Sequence, residues 1–177
     1  MNRIFIGMLF VFLNFNLDLG GGSRIGLIPT FLGYIYMLNG LAEIEELSPR
    51  FSKVMPWVKW MSIYMAFVYV MDVFGISTDL AMTFILSFAS TILGLYISYN
   101  IIMGIKDIEL EKIQDLGSGK LYSTWKLLAV FTILAHSMFF IADLSIIAIM
   151  GSFMVGVYYL YVFSQTKRAF YAQDPEE

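Results

Sequence analysis

Residues Leu80 to Gly104 read LAMTFILSFASTILGLYISYNIIMG, a run of twenty-five residues without a charged side chain. A helix that crosses the roughly 30 Å hydrocarbon layer of a membrane needs about 20 mostly apolar residues. The run therefore predicts a transmembrane helix. The whole chain agrees with a lipid environment, because 59% of its residues are hydrophobic and 14% are charged, whereas soluble domains are about 25% charged.

Five other segments have the same apolar character, and they are residues 3–18, 25–43, 56–75, 122–142 and 144–165. With Leu80–Gly104 they predict an all-α fold, a polytopic transmembrane bundle of six helices in one domain over residues 1–177. The first segment is short for a membrane span, and only Asp143 separates the last two.

The Lys and Arg residues predict which way the bundle faces, because cytoplasmic loops of membrane proteins are enriched in them. With the N-terminus inside, the external turns contain Arg24 alone. The cytoplasmic segments then contain the other ten basic residues, which are Arg3, Arg50, Lys53, Lys59, Lys106, Lys112, Lys120, Lys126, Lys167 and Arg168. We therefore expect a multi-pass protein of the plasma membrane, embedded in the lipid bilayer, with both termini in the cytoplasm.

A recurring pattern predicts three tandem helical hairpins. Asp-Leu pairs begin at Asp18, Asp79 and Asp143, and each is followed in the next segment by a glycine with aromatic residues behind it, at Gly33, Gly94 and Gly156. Repetition of this kind indicates hairpins over residues 1–50, 51–116 and 117–177, each with its turn outside. Chance similarity is the alternative, because Gly, Leu and Tyr are common in membrane helices.

Ionisable residues in membrane segments are costly and mark functional sites. In the predicted topology, those of the external end are Asp18, Arg24, Asp72, Asp79, His136 and Asp143. Because four of them are acids, we expect this end to bind a cation or a small cationic or polar solute. Asp72, His136 and Asp143 would be the deepest members of the site, and Asp72 is the strongest candidate because it has no capping role.

The same acids also have a structural explanation. Asp79 stands directly before an apolar segment, where an N-cap residue is expected, and Asp143 occupies a similar place before the sixth segment. Asp18 and Arg24 could pair across the Gly-rich turn between them. For Asp18, Asp79 and Asp143 we favour caps and turns.

His136 is the one histidine of the chain, which has no cysteine. On a continuous helix its seven-residue spacing from Asp143 puts both on one face, about 10 Å apart. That distance is too long for one metal ion, and no zinc-ligand spacing occurs in the sequence. We therefore expect no metal site and no cofactor, and a hydrogen bond between helices is the favoured role of His136.

Ser90, Gly94 and Ser98 form a stripe of small residues at helical spacing. Such stripes let two helices approach closely, so we expect a contact within the bundle, or with a membrane protein partner or a second copy of the chain.

The sequence argues against two classes of protein. It contains no Gly-x-Ser-x-Gly, His-Glu-x-x-His or phosphate-loop motif, so we expect no enzyme. The net charge of −3 and the lack of a basic stripe argue against a nucleic-acid partner.

The stretch Phe15–Trp57 resembles a group of small uncharacterised membrane proteins common in Firmicutes. The resemblance is carried by Ile28-Pro29-Thr30-Phe31-Leu32-Gly33-Tyr34, with Thr30 where that group favours an acid; it implies a membrane protein and no particular activity. In architecture alone, the chain is also similar to the substrate-binding subunits of energy-coupling-factor transporters. It lacks the Ala-x-x-x-Ala docking pattern of their first span.

Two functions follow as expectations, and a membrane-embedded enzyme is a less favoured third. The first is binding of a solute or partner, as a transporter component or a regulatory subunit. The second is a structural or signalling role without a ligand, in which the Ser90-Gly94-Ser98 stripe binds a partner protein.

Overall fold

The computed structural model describes residues 1–12, 16–18, 24–26, 29–76, 79–112, 115–138 and 142–172, and gives the backbone alone for 16–18, 24–26, 142–143 and 145–146. These residues form six α-helices, a two-stranded ribbon and one short 3-10 turn. The elements are α1 (Asn2–Phe12), β1 (Asn16–Asp18), β2 (Arg24–Gly26), α2 (Thr30–Ala42), the turn Glu45–Leu47, α3 (Pro49–Val73), α4 (Leu80–Glu111), α5 (Ser118–Ser137) and α6 (Ala142–Ala172). Apart from the ribbon, the predicted all-α class is confirmed for this part of the chain.

The ribbon replaces helix at the facing ends of the first two predicted segments. Strands β1 and β2 pair antiparallel, with Asp18 opposite Arg24. The predicted helical segments 3–18 and 25–43 are therefore wrong at these ends. Asn and Asp side chains compete for backbone hydrogen bonds and weaken a helix, and the residue before a proline disfavours helical backbone, which fits a helix that starts just after Pro29.

The helices form a closed ring of antiparallel neighbours. Each helix packs against the next along the chain, and α6 packs against α1. At one end of the ring the backbone N–H of Asn2 donates to the Tyr171 hydroxyl at 3.1 Å. The first turn of α1 and the last turn of α6 therefore lie at the same end. Three hairpins fit this order, but their structural similarity to one another stays a prediction.

Ion pairs and charged hydrogen bonds gather at this end, which we call the basic end. Arg3 pairs with Glu43 at 2.8 Å. Arg50 pairs with Asp107 at 3.0 Å, and the Ser48 hydroxyl donates to the same carboxylate. We call the opposite end, where α3 ends and α4 begins after Asp79, the acidic end.

Among the described residues, three helices are long and apolar enough to cross a membrane: α3, α4 and residues Ile147–Ala172 of α6. Helix α1 is apolar but has 11 residues, and α2 has 13. The 32 residues of α4 span about 48 Å, so this helix is longer than a hydrocarbon layer.

Helices α1 and α2 are in backbone contact at two glycines. A Cβ atom on Gly33 would lie 2.7 Å from the carbonyl oxygen of Gly7, and one on Gly7 would overlap the carbonyl oxygen of Gly33. No residue larger than glycine fits at either position without movement of a helix. The contact places the next residues, Met8 and Tyr34, side by side in the interior, where they are 1% and 2% exposed.

We predict that Gly7→Ala lowers the free energy of unfolding by about 1–3 kcal/mol, the usual cost of overpacking a tight interior. Gly119→Ala is the matched control, because a Cβ there has no neighbouring atom within 4 Å. The measurement is thermal or denaturant unfolding of the purified proteins in detergent. Equal stability of the two variants would contradict the close approach of α1 and α2.

Candidate functional site

A cavity of about 240 Å³ lies among α1, α2, α3, α4 and α5. It is lined by the second half of α1 and by residues from Thr30 to Met37 of α2, so it lies toward the acidic end. Beneath it, the basic end is packed solid around Leu41, Phe51 and Val54, each of which is fully buried.

One wall of the cavity consists of methionines. Met8, Met37, Met61 and Met65 come from α1, α2 and α3 and line the same space. Unbranched thioether side chains adapt to ligands of different shape and make favourable contacts with aromatic rings. None of the described residues that line the cavity is charged.

The facing wall belongs to α4 and displays hydroxyl groups. The Ser90 hydroxyl donates to the carbonyl of Ser87 at 2.8 Å. The Ser98 hydroxyl lies 3.0 Å from the carbonyl of Gly94 and accepts a hydrogen bond from the indole N–H of Trp125 at 2.9 Å. Trp125 therefore links α5 to α4 at the deep end of this wall.

His136 lies behind the hydroxyl wall, in the contact between α5 and α4. Its Nδ1 is 3.1 Å from the carbonyl oxygen of Thr132. Because a carbonyl oxygen can only accept, Nδ1 carries the proton, and Nε2 of the neutral ring is an acceptor. The hydroxyls of Thr91 and Ser87 lie 3.2 Å and 3.3 Å from Nε2. Thr91 lines the cavity, so His136 influences the cavity through its contact with Thr91.

Tyr34 supplies the most unusual polar group of the site. Its side chain is 2% exposed and lines the cavity. Its hydroxyl lies 3.5 Å from the position that a Cβ on Gly94 would occupy. Among the described residues this hydroxyl has no hydrogen-bond partner. No buried side-chain oxygen or nitrogen among the described residues lacks a partner, so the Tyr34 hydroxyl is accessible from the cavity, where a ligand or water can bond it.

The acids predicted to bind a ligand lie elsewhere. Asp72 is exposed on the last turn of α3, and it does not line the cavity. Asp79 is the N-cap of α4, as expected, and its carboxylate accepts from the N–H of Met82 at 2.7 Å. Asp18 and Arg24 are opposite one another in the ribbon; their side chains lie outside the described atoms.

The predicted relation between His136 and Asp143 is wrong. His136 belongs to α5 and Asp143 to α6, because the chain turns after Met138. They cannot share one helix face, and the side chain of Asp143 lies outside the described atoms. The interhelical hydrogen bond expected of His136 is present, to Thr91 and Ser87 of α4. Within the described parts of the chain no three acidic or histidine side chains cluster as metal ligands would.

The stripe of small residues lines the cavity, and its Ser98 also bonds Trp125 of the neighbouring helix α5. Ser90, Gly94 and Ser98 all line the cavity. A Cβ on Gly94 would make only ordinary contact with Tyr34, whereas the close helix contacts occur at Gly7, Gly33 and Gly40. The residues that sequence reasoning missed are Tyr34 and the methionines. The one available signal was the glycine-aromatic pattern of the hairpins, in which Tyr34 follows Gly33.

Comparison with known proteins places the chain in no family. No protein-family model, curated protein or solved structure matches it. The function of the cavity therefore has to follow from its own geometry.

We predict that Tyr34→Phe leaves the free energy of unfolding of the ligand-free protein within about 1 kcal/mol of wild type, because the hydroxyl that it removes opens to the cavity and bonds no described residue. Tyr159→Phe is the control, since the fully buried Tyr159 donates to the sulfur of Met8 at 3.7 Å. Unfolding of both variants in detergent checks this. A Tyr34→Phe protein less stable than Tyr159→Phe would contradict the account.

Proposed function

We propose that the chain is a six-span protein of the plasma membrane that binds a small solute in the cavity, as the binding component of a transport or regulatory system. The antiparallel ring supports six spans, because three of its members are long apolar helices and the other three pack beside them in the same ring. Strand β2 of the ribbon packs against α3. Irregular backbone at membrane depth is tolerated when protein covers it in this way.

The distribution of charge supports cytoplasmic termini. The first turn of α1 and the last turn of α6 share the basic end with Arg3, Arg50 and Lys120, through contacts to Glu43, Asp107 and Gln165. Lys and Arg concentrate on the cytoplasmic side of membrane proteins. The cavity then lies in the half of the bundle that faces outward.

Single cysteines test this orientation without interference, because the chain has no cysteine of its own. Ile76 is exposed beyond α3 and Leu110 is exposed near the end of α4. We predict that a membrane-impermeant maleimide labels Ile76→Cys in intact cells and labels Leu110→Cys only after permeabilisation. The reverse pattern would invert the orientation, and labelling of both in intact cells would contradict six spans.

Solute binding rests on one observation, the Tyr34 hydroxyl that opens to the cavity and bonds no described residue, while no buried side-chain oxygen or nitrogen of the described residues lacks a partner. A fold that needed only packing would be as stable with phenylalanine at this position. The cavity is somewhat smaller than the range of about 300–1,000 Å³ typical of drug-sized ligands, which favours a small molecule.

A ligand-free partner protein is less well supported. That hypothesis depended on Ser90, Gly94 and Ser98 as a surface for association. All three face the cavity, so they offer no stripe to another chain.

We predict that a small molecule co-purifies with the protein and is lost when the cavity is filled. In Gly94→Leu the new side chain extends from the α4 wall toward Tyr34. Ile92→Leu is the control, because Ile92 is exposed on the outside of the same helix. Mass spectrometry of solvent extracts of the purified proteins should detect the molecule in wild type and in Ile92→Leu, and at least about tenfold less in Gly94→Leu. Equal amounts in all three proteins would contradict solute binding in this cavity.

A further inference from the structure

The chemistry of the cavity restricts the class of solute, provided that the proposed solute binding is right. The methionine wall and the lack of charge among the described lining residues determine the charge and polarity of a solute that fits. A charged group that enters such a site loses its hydration and finds no counter-ion, which makes its burial costly. The solute that fits is uncharged, with an apolar body against Met8, Met37 and Met61.

The α4 wall offers hydrogen-bond acceptors. The proton of the Ser90 hydroxyl goes to the carbonyl of Ser87, so Ser90 presents lone pairs to the cavity. Ser98 donates to the carbonyl of its own helix and also accepts from Trp125. Its proton and one of its lone pairs are therefore already in use.

His136 makes Thr91 a hydrogen-bond acceptor toward the cavity as well. With its Nδ1 proton on the carbonyl of Thr132, the singly protonated ring accepts at Nε2, and the Thr91 hydroxyl at 3.2 Å, nearer than that of Ser87 at 3.3 Å, is placed to donate to it. The Thr91 oxygen then keeps its lone pairs for the cavity. His136 does not line the cavity itself, so it is a positioning residue that sets the direction of the Thr91 hydroxyl.

Tyr34, in contrast, offers the cavity a hydrogen-bond donor. Its O–H opens to the same space and has no acceptor among the described residues. It faces Gly94 of the α4 wall at 3.5 Å from the Cβ position. A single small polar group can therefore reach the tyrosine and the α4 hydroxyls together.

We infer that the cavity binds an uncharged solute whose apolar body lies against the methionine wall and whose polar head accepts a hydrogen bond from Tyr34 and donates one to Ser90 or Thr91. Alcohols and amides have such a head. The expectation of a cationic solute at the acidic residues belongs to a different surface of the protein.

A series of probes with one phenyl ring and a two-carbon substituent separates these requirements. The head of 2-phenylethanol donates and accepts, that of acetophenone only accepts, and ethylbenzene does neither; 2-phenylethylammonium and phenylacetate carry charge. Binding to the purified protein is measured by equilibrium dialysis, with Gly94→Leu as the blank for partition into detergent. We expect affinity to fall about three- to tenfold at each step from the alcohol to the ketone to the hydrocarbon, and no binding of either ion above the blank.

Variants assign the two hydrogen bonds. Tyr34→Phe should weaken the binding of the alcohol and the ketone about three- to tenfold and leave the binding of ethylbenzene unchanged. His136→Phe removes the acceptor of the Thr91 proton, so the freed hydroxyl can donate into the cavity and the preference for the alcohol over the ketone should disappear. His136→Gln, whose amide oxygen can accept from Thr91, should restore the preference. If His136 had a merely structural role, its replacement would weaken the binding of all three neutral probes alike. That result would overturn its assignment as a positioning residue.

The outcomes distinguish this inference from the function on which it rests. Tighter binding of the ammonium or carboxylate probe than of the alcohol would overturn the inference and leave solute binding in place. An unchanged ratio between alcohol and hydrocarbon in Tyr34→Phe would overturn the assigned head-group contact. Equal retention of every probe by wild type and Gly94→Leu would overturn both.

Discussion

The backbone contact between α1 and α2 at Gly7 and Gly33 is the constraint on which the interior of this protein depends. It brings two short helices together more closely than any side chain at these positions would allow. Because Met8 and Tyr34 follow the two glycines directly, the same contact turns both into the interior. Tight packing on the basic side of this contact and an open space on the acidic side give the bundle its two unlike halves, and the cavity lies where they meet.

Elements that depend on local chemistry could be predicted from the sequence. The charge-free run from Leu80 specified α4, and Asp79 before it was recognisable as a cap because an aspartate there can bond the free N–H groups of the first turn. The prediction failed where helix and turn compete over a few residues. The end of the first segment became a strand, and the turn between His136 and Asp143 separated two residues that helical spacing would have joined.

The cavity could not be predicted in the same way, because its residues come from five helices and are distant in sequence. Charge drew the prediction to Asp72 and Asp79, which lie near helix ends where acids are easily accommodated. What distinguishes Tyr34 is a hydroxyl that opens to an interior cavity instead of bonding a neighbour, and only a three-dimensional structure can show such an arrangement. The small-residue stripe was identified as a feature, and it lines the cavity while its Ser98 also bonds Trp125 of α5.

If α4 crosses the membrane as proposed, Ser90 faces a cavity reached by water within a helix otherwise surrounded by lipid. A thiol reacts as its thiolate, which does not form in hydrocarbon, so cysteine reactivity measures this directly. Ser90→Cys should react with methyl methanethiosulfonate at least about tenfold faster than Ile92→Cys, which lies two residues away on the outside of α4. Equal and slow reaction of the two cysteines in membranes would contradict the cavity and the function assigned to it.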